Sequence, residues 1–152
     1  MKNLRFFGKE FWLTVFLVAG IVLVDRTSKE IVWSGFREQI VWNNGISLGF
    51  LATNDLFSKI ILQIVICLAV FGFLYWLVSE FKKKDKNYFV ILPLGMVVAG
   101  GVSNLIDRML WGSVMDFIPF FGLWTFNIAD FSISVGVILL LINKLAYDFW
   151  KR

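Results

Sequence analysis

Two runs of 19 residues without a charge, Ile60 to Val78 and Tyr88 to Ile106, set the first constraint on this chain. Each approaches the roughly 20 apolar residues that a helix needs to cross about 30 Å of hydrocarbon. A segment that apolar can bury its backbone groups in lipid only by pairing them within itself, so both runs are read as membrane-spanning helices. Two shorter runs, Phe11 to Val24 with 14 residues and Phe131 to Ile142 with 12, reach spanning length only by continuing past Asp25 and Asp130. A charge within a span costs about 2.5 to 3.5 kcal/mol on insertion scales and is tolerated where it faces protein or water, so both aspartates are functional candidates. The expected fold is an all-α membrane protein, a four-helix bundle with spans over residues 9–30, 58–79, 88–108 and 128–148 and one domain over 1–152. A small β-sheet and loop platform is expected on its extracytoplasmic side.

The 59% hydrophobic content agrees with a bilayer protein. A net charge of +4 could suggest nucleic acid, but ten of the fifteen basic residues fall before or at the start of the first span, in the loop around Lys82–Lys86, or at or after the end of the last span. With four spans these all lie on one side, which the positive-inside rule assigns to the cytoplasm together with both termini. A lipid-binding role for the KKKDK run is the alternative, and topology already accounts for it. The first apolar segment follows basic residues as a secretory signal would, yet it ends in Val22-Leu23-Val24-Asp25, which offers no small-residue cleavage site; it is read as a retained span. The single cysteine, Cys67, allows no disulfide within the chain and is read as structural.

The chain has no histidine, which removes Ser-His-Asp and Cys-His chemistry and the His-Glu-x-x-His zinc site. An all-carboxylate metal site is disfavoured by scattered acids without calcium-loop spacing. Carboxylate chemistry or a Ser-Lys pair survives. Ser28 and Lys29 are neighbours and do not share a helix face, whereas Ser47 or Ser103 could meet Lys29 in space.

Polar residues collect in two stretches outside the spans, residues 32–57 and 110–125, and at the adjoining helix ends. Asp25 and Lys29, four apart, share a face and can form an ion pair or contact substrate. Gln39 to Asn44 alternate ahead of Asn44-Gly45, which reads as short strands around a tight turn. On the third span Gly95, Ala99 and Ser103 form a small-residue stripe suited to helix packing. Gly100, Asn104, Asp107 and Arg108 form a second, more polar stripe, in which Asp107 and Arg108 suit the satisfaction of buried partners. Asp116 and Asp130 fall at one depth with no cation between them. Two readings are open. As a close pair they would share one proton and activate water, one as base and one as acid. As separate residues each would cap a helix end. A third use of Asp25, Asp116 and Asp130, as a transporter's proton relay, lacks the internal repeats expected of such proteins.

GGVSNLIDR at Gly100 to Arg108, VMDF at Val114 to Phe117, FNIAD at Phe126 to Asp130, Asn43-Asn44-Gly45, and Asp25 with Lys29 of DRTSK together resemble the bacterial lipoprotein signal peptidases, or signal peptidase II. That resemblance, five motifs in order over nearly the whole chain, implies an intramembrane aspartic endopeptidase of the bacterial inner membrane. Its substrate would be a diacylglyceryl-modified prolipoprotein, cut on the amino side of the lipidated cysteine. It implies Asp116 and Asp130 as the catalytic pair, and Asp25, Lys29, Asn43, Gly45, Asn104, Asp107, Arg108 and Asn127 as residues that line or support the site. It further implies membrane lipid as surroundings, a monomer, no nucleic acid, no metal and no other cofactor. The signal peptide would lie between spans as a fifth helix, each buried CH₂ of the acyl chains adding about 0.8 kcal/mol. Phe117, Phe120, Phe121, Trp124 and Phe126 would form an interfacial belt and dry wall. The chain departs from the family pattern at Ile46 to Gly49 and at Phe131, which bears on substrate and inhibitor preference, and the link between the aspartates is short.

Overall fold

The computed structural model describes residues 8–45 and 55–151. Four helices carry the chain: α1 (Lys9–Gly35), α2 (Leu56–Lys82), α3 (Tyr88–Trp111) and α4 (Ile128–Trp150). All four are long and apolar enough to cross a membrane. They contain the expected spans and overrun them. Helix α1 passes through Asp25 and Lys29, which pair with each other one turn apart at 2.7 Å, and continues to Gly35.

Side-chain caps set the starts of three helices. Asp55 accepts from the Ser58 amide at 2.8 Å, Asn87 from Phe89 at 2.9 Å, and Asn127 from Asp130 at 2.8 Å, each satisfying a backbone donor that the first turn leaves unpaired. Gly112, at φ 73°, ends α3 in the left-handed conformation that an L side chain adopts only with strain.

Helix α3 is the axis of the bundle and packs on the other three. Its most apolar stretch is 61% buried, against 11, 6 and 17% for α1, α2 and α4, whose apolar flanks are left for lipid. Close approach depends on glycine. A Cβ on Gly100 would lie 2.3 Å from the Ala129 carbonyl oxygen of α4, and one on Gly95 would lie 2.9 Å from Thr14 Cγ2 of α1. Thus the Gly95, Ala99, Ser103 stripe faces α1, as its spacing suggests: Ser103 Oγ donates to Asp25 Oδ2 at 2.6 Å. At the end where α1 and α3 begin, Leu77, Phe81, Ile91, Leu94 and Val98 form an apolar cluster. There the Tyr88 hydroxyl donates to Glu10 Oε1 at 2.9 Å.

Two small antiparallel sheets close the opposite end. Strand β1 (Val41–Asn43) pairs with β2 (Val114–Asp116) in the register Val41 with Asp116 and Asn43 with Val114. Strand β3 (Ile118–Phe120) pairs with β4 (Trp124–Phe126). The platform is therefore present, and within it β1 has a partner that is distant in sequence. Its partner comes from beyond α3, because the end of α1 and the end of α3 meet there; residues 46–54, where a local partner would fall, lie outside those described. A tight turn is found at Phe121-Gly122, with φ 48° and 70°, where Leu123 N donates to the Phe120 carbonyl at 2.9 Å.

Candidate active site

Asp116 ends β2 and Asp130 lies in the first turn of α4, and a chain of side-chain amides joins them. Asn127 donates to Asp116 Oδ1 at 2.7 Å and to Asn104 Oδ1 at 3.2 Å; Asn104 in turn donates to Asp130 Oδ1 at 2.7 Å. The carbonyl oxygen of the same Asn127 side chain caps the Asp130 amide. One asparagine thus fixes one aspartate through its carboxylate and the other through its backbone. Asn43 Nδ2 takes the second oxygen of Asp116 at 3.0 Å, while its Oδ1 receives the Gly45 amide at 2.9 Å. Arg108 completes the chain, donating to the Gly45 carbonyl at 2.6 Å. Among the described residues, Oδ2 of Asp130 is the one oxygen of the two carboxylates without a hydrogen-bond donor.

Asp116 is buried, at 1% exposure. Burial first, and the charge of Asp130 second, push its carboxyl up to about 7, against the pull of the Asn43 and Asn127 amides and of Lys29. A carboxyl with this value holds a proton near neutral pH, the state that a proton-sharing pair requires.

Asp130 stands at the polar end of an apolar cavity of about 240 Å³. Ile66, Val70 and Phe73 of α2, Val97 of α3 and Ile133 of α4 line its length. Asn43, Asn104, Arg108 and Asp130 gather at its polar end, and Asp116 sits behind them, tied in through Asn43 and Asn127. The cavity exists because α2 packs chiefly on α3 and leaves the space beside α4 unfilled.

Behind the aspartates lies a second polar cluster. Lys29 Nζ is 2.7 Å from Asp25 Oδ2 and 2.7 Å from Asp107 Oδ2, with all three side chains no more than 4% exposed. Arg26 bonds both carboxylates from the side of the bundle. Asp25 also accepts the Ala129 amide at 3.0 Å and Asp107 the Met115 amide at 3.1 Å.

The sequence candidates therefore fall into two connected groups. Asp130, Asn43, Asn104 and Arg108 line the cavity's polar end, with Asp116, Gly45 and Asn127 hydrogen-bonded to them, and Asp25, Lys29 and Asp107 stand behind. Three expectations change. The helix-cap reading of the aspartates does not hold, since Asn127 is the cap of α4 and Asp116 lies in a strand. Asp107 does not share a stripe with Gly100, Asn104 and Arg108: it continues the row of Ser103, four residues earlier, and faces α1. The Ser-Lys alternative finds no pair among the described residues, because Ser28 and Ser103 bond to Val24 and Asp25 while Lys29 is held between two acids; Ser47 lies outside them. Sequence reasoning missed Arg26, which signals itself only as a second cation one residue from Asp25. Phe131, the departure in α4, is 59% exposed and turned away from the cavity that its neighbour lines.

The family model for signal peptidase (SPase) II matches residues 13–146. A lipoprotein signal peptidase of Buchnera aphidicola is 34% identical, over 88% of this chain and 94% of its own. Another, from Maridesulfovibrio salexigens, is 32% identical over 80% and 79%. A solved structure described as a bacterial membrane enzyme superposes with a TM-score of 0.77 at 26% identity, covering 92% of each chain. Four membrane-length helices and these likenesses make the chain a multi-pass inner-membrane protein. It belongs to the signal peptidase II family of peptidases.

Proposed function

We propose that the chain is an aspartic endopeptidase that releases the signal peptide of diacylglyceryl-modified prolipoproteins by cutting on the amino side of the lipidated cysteine. One observation carries this reading: two carboxylates on separate elements are cross-linked through Asn104 and Asn127, with Asp130 lining the polar end of an otherwise apolar cavity and Asp116 directly behind it. The names of the curated relatives point to the same substrate class.

In this reading the pair holds one proton. The ionised carboxylate takes a proton from water, whose oxygen attacks the scissile carbonyl; the protonated partner hydrogen-bonds the carbonyl oxygen as charge develops. The tetrahedral intermediate then collapses with breakage of the C–N bond, and the acid gives its proton to the leaving amine. The open Oδ2 of Asp130 suits contact with water and substrate, and the raised carboxyl of Asp116 suits the proton-holding state, although the pair titrates as one unit. The amides of Asn43, Asn104 and Asn127 hold the carboxylates without adding charge. Binding the acyl chains and the apolar leader among the helices positions the scissile bond, so the chemistry starts from an oriented complex. The protein acts as a monomer, with both ends in the cytoplasm and the sheet end at the outer face of the membrane.

The test uses purified protein with a lipidated prolipoprotein and with its unlipidated form. Signal-peptide release from the lipidated form alone is expected; equal cleavage of both, or of neither, would overturn the reading.

A further inference from the structure

The residue immediately before each aspartate of the pair is held, through its backbone amide, by another buried carboxylate. Met115 N donates to Asp107 Oδ2 and Ala129 N to Asp25 Oδ1. Those two carboxylates belong to different helices, α3 and α1, and Lys29 Nζ lies 2.7 Å from each. A continuous path therefore runs from Asp116 through Met115, Asp107, Lys29, Asp25 and Ala129 to Asp130. It closes, on the far side of the pair, the bridge that Asn127 and Asn104 make on the near side.

We propose that Lys29 is a positioning residue for the aspartate pair, fixing the separation of the two carboxylates by clamping Asp107 and Asp25 and, through them, the Met115 and Ala129 amides. Without the cation, two buried acids repel each other while each still grips a strand or helix end, so the strain falls on the spacing of Asp116 and Asp130. Arg26 reaches the same two acids but stands at the edge with its side chain 26% exposed, whereas the Lys29 side chain is 4% exposed and lies between them. The Lys29 Nζ is engaged by two ion pairs, so its part is to hold the two acids. This proposal rests on the two-aspartate reading.

The full-length protein is assayed in detergent on a lipidated prolipoprotein, comparing Lys29→Met, Lys29→Arg, Asp116→Asn and Asp130→Asn with the parent, together with thermal unfolding. Lys29→Met is expected to lose about 100-fold or more in kcat, the scale set by roughly 1 Å of misplacement, with KM within about threefold of the parent. Lys29→Arg, which can still bridge two carboxylates, should recover kcat to within about tenfold. A Lys29→Met protein with parental kcat and only a lower unfolding temperature, or with KM alone raised, overturns the clamp. Should Lys29→Met fail to fold, Asp107→Asn replaces it, since an amide still accepts the Met115 N–H but loses the charge that Lys29 holds; a fall in kcat at unchanged KM supports the clamp, and parental kcat overturns it. The two failures separate cleanly: cleavage by Asp116→Asn or Asp130→Asn removes the pair itself, whereas inactive aspartate variants beside a fully active Lys29→Met remove only the clamp.

Discussion

A carboxyl buried beside another carboxylate pulls stability and activity in opposite directions, and Asp116 is the residue where this can be measured. Its pKa is raised from 3.8 to about 7, so between those values the folded protein keeps a proton that the unfolded chain has released. The contribution to stability is therefore full below about pH 4 and is lost as pH rises through about 7. At about 1.4 kcal/mol per unit, the whole effect amounts to up to about 4 kcal/mol. Thermal unfolding in detergent should fall in midpoint from about pH 5 to about pH 8, and Asp116→Asn should flatten that slope. An unchanged slope in the variant would contradict the assignment. The same titration predicts that cleavage declines above about pH 7, as the pair loses its shared proton; a rate still rising at about pH 9 would exclude a protonated Asp116 from the reaction.

Helix α4 brings Asp130 to the site where it packs backbone-close against α3. Gly100 has no Cβ to collide with the Ala129 carbonyl, and Ala129 is the residue just before Asp130. Gly100→Ala should push the start of α4 outward, costing about 1 to 3 kcal/mol of stability and lowering kcat more than the stability loss accounts for. Full activity at unchanged stability would mean that the approach has slack. This contact also shows what the sequence disclosed. Helices α2 and α3 were legible as long uncharged runs, and the row Gly95, Ala99, Ser103 was legible as a packing face because four-residue spacing keeps one helix side. The same arithmetic sets Asp107 with Ser103 and Arg108 with Asn104, a division hidden when polar residues near one helix end are grouped by type. The sheets were less legible. Strands of three residues carry too little alternation, and β1 finds its partner some seventy residues away because α3 delivers it there, which no local pattern encodes. The aspartates were legible as a pair only through the motifs around them; that Asn127 holds both depends on the entry of α4 and is not a matter of spacing.

At the scale of the molecule, the basic residues of the α2–α3 connection and the carboxylate pair occupy opposite ends. Glu10, Tyr88 and Lys86 meet at the end where α1 and α3 begin, near the basic residues of the α2–α3 connection, whereas the carboxylate pair and both sheets lie at the other. The proposed orientation, argued from the positive-inside rule, has the C-terminus in the cytoplasm, so a reporter fused after Arg152 should give a cytoplasmic signal; a periplasmic one would invert it. The two-aspartate account itself meets its most direct test in Asp116→Asn and Asp130→Asn, each measured for single-turnover cleavage of a lipidated prolipoprotein and for thermal unfolding near neutral pH. Each should lose about 10³-fold or more in rate, because an amide cannot relay the proton, while unfolding at or above the parental temperature. A variant that unfolds earlier yet cleaves at a rate near the parent's would show these carboxylates to be structural and would contradict the mechanism.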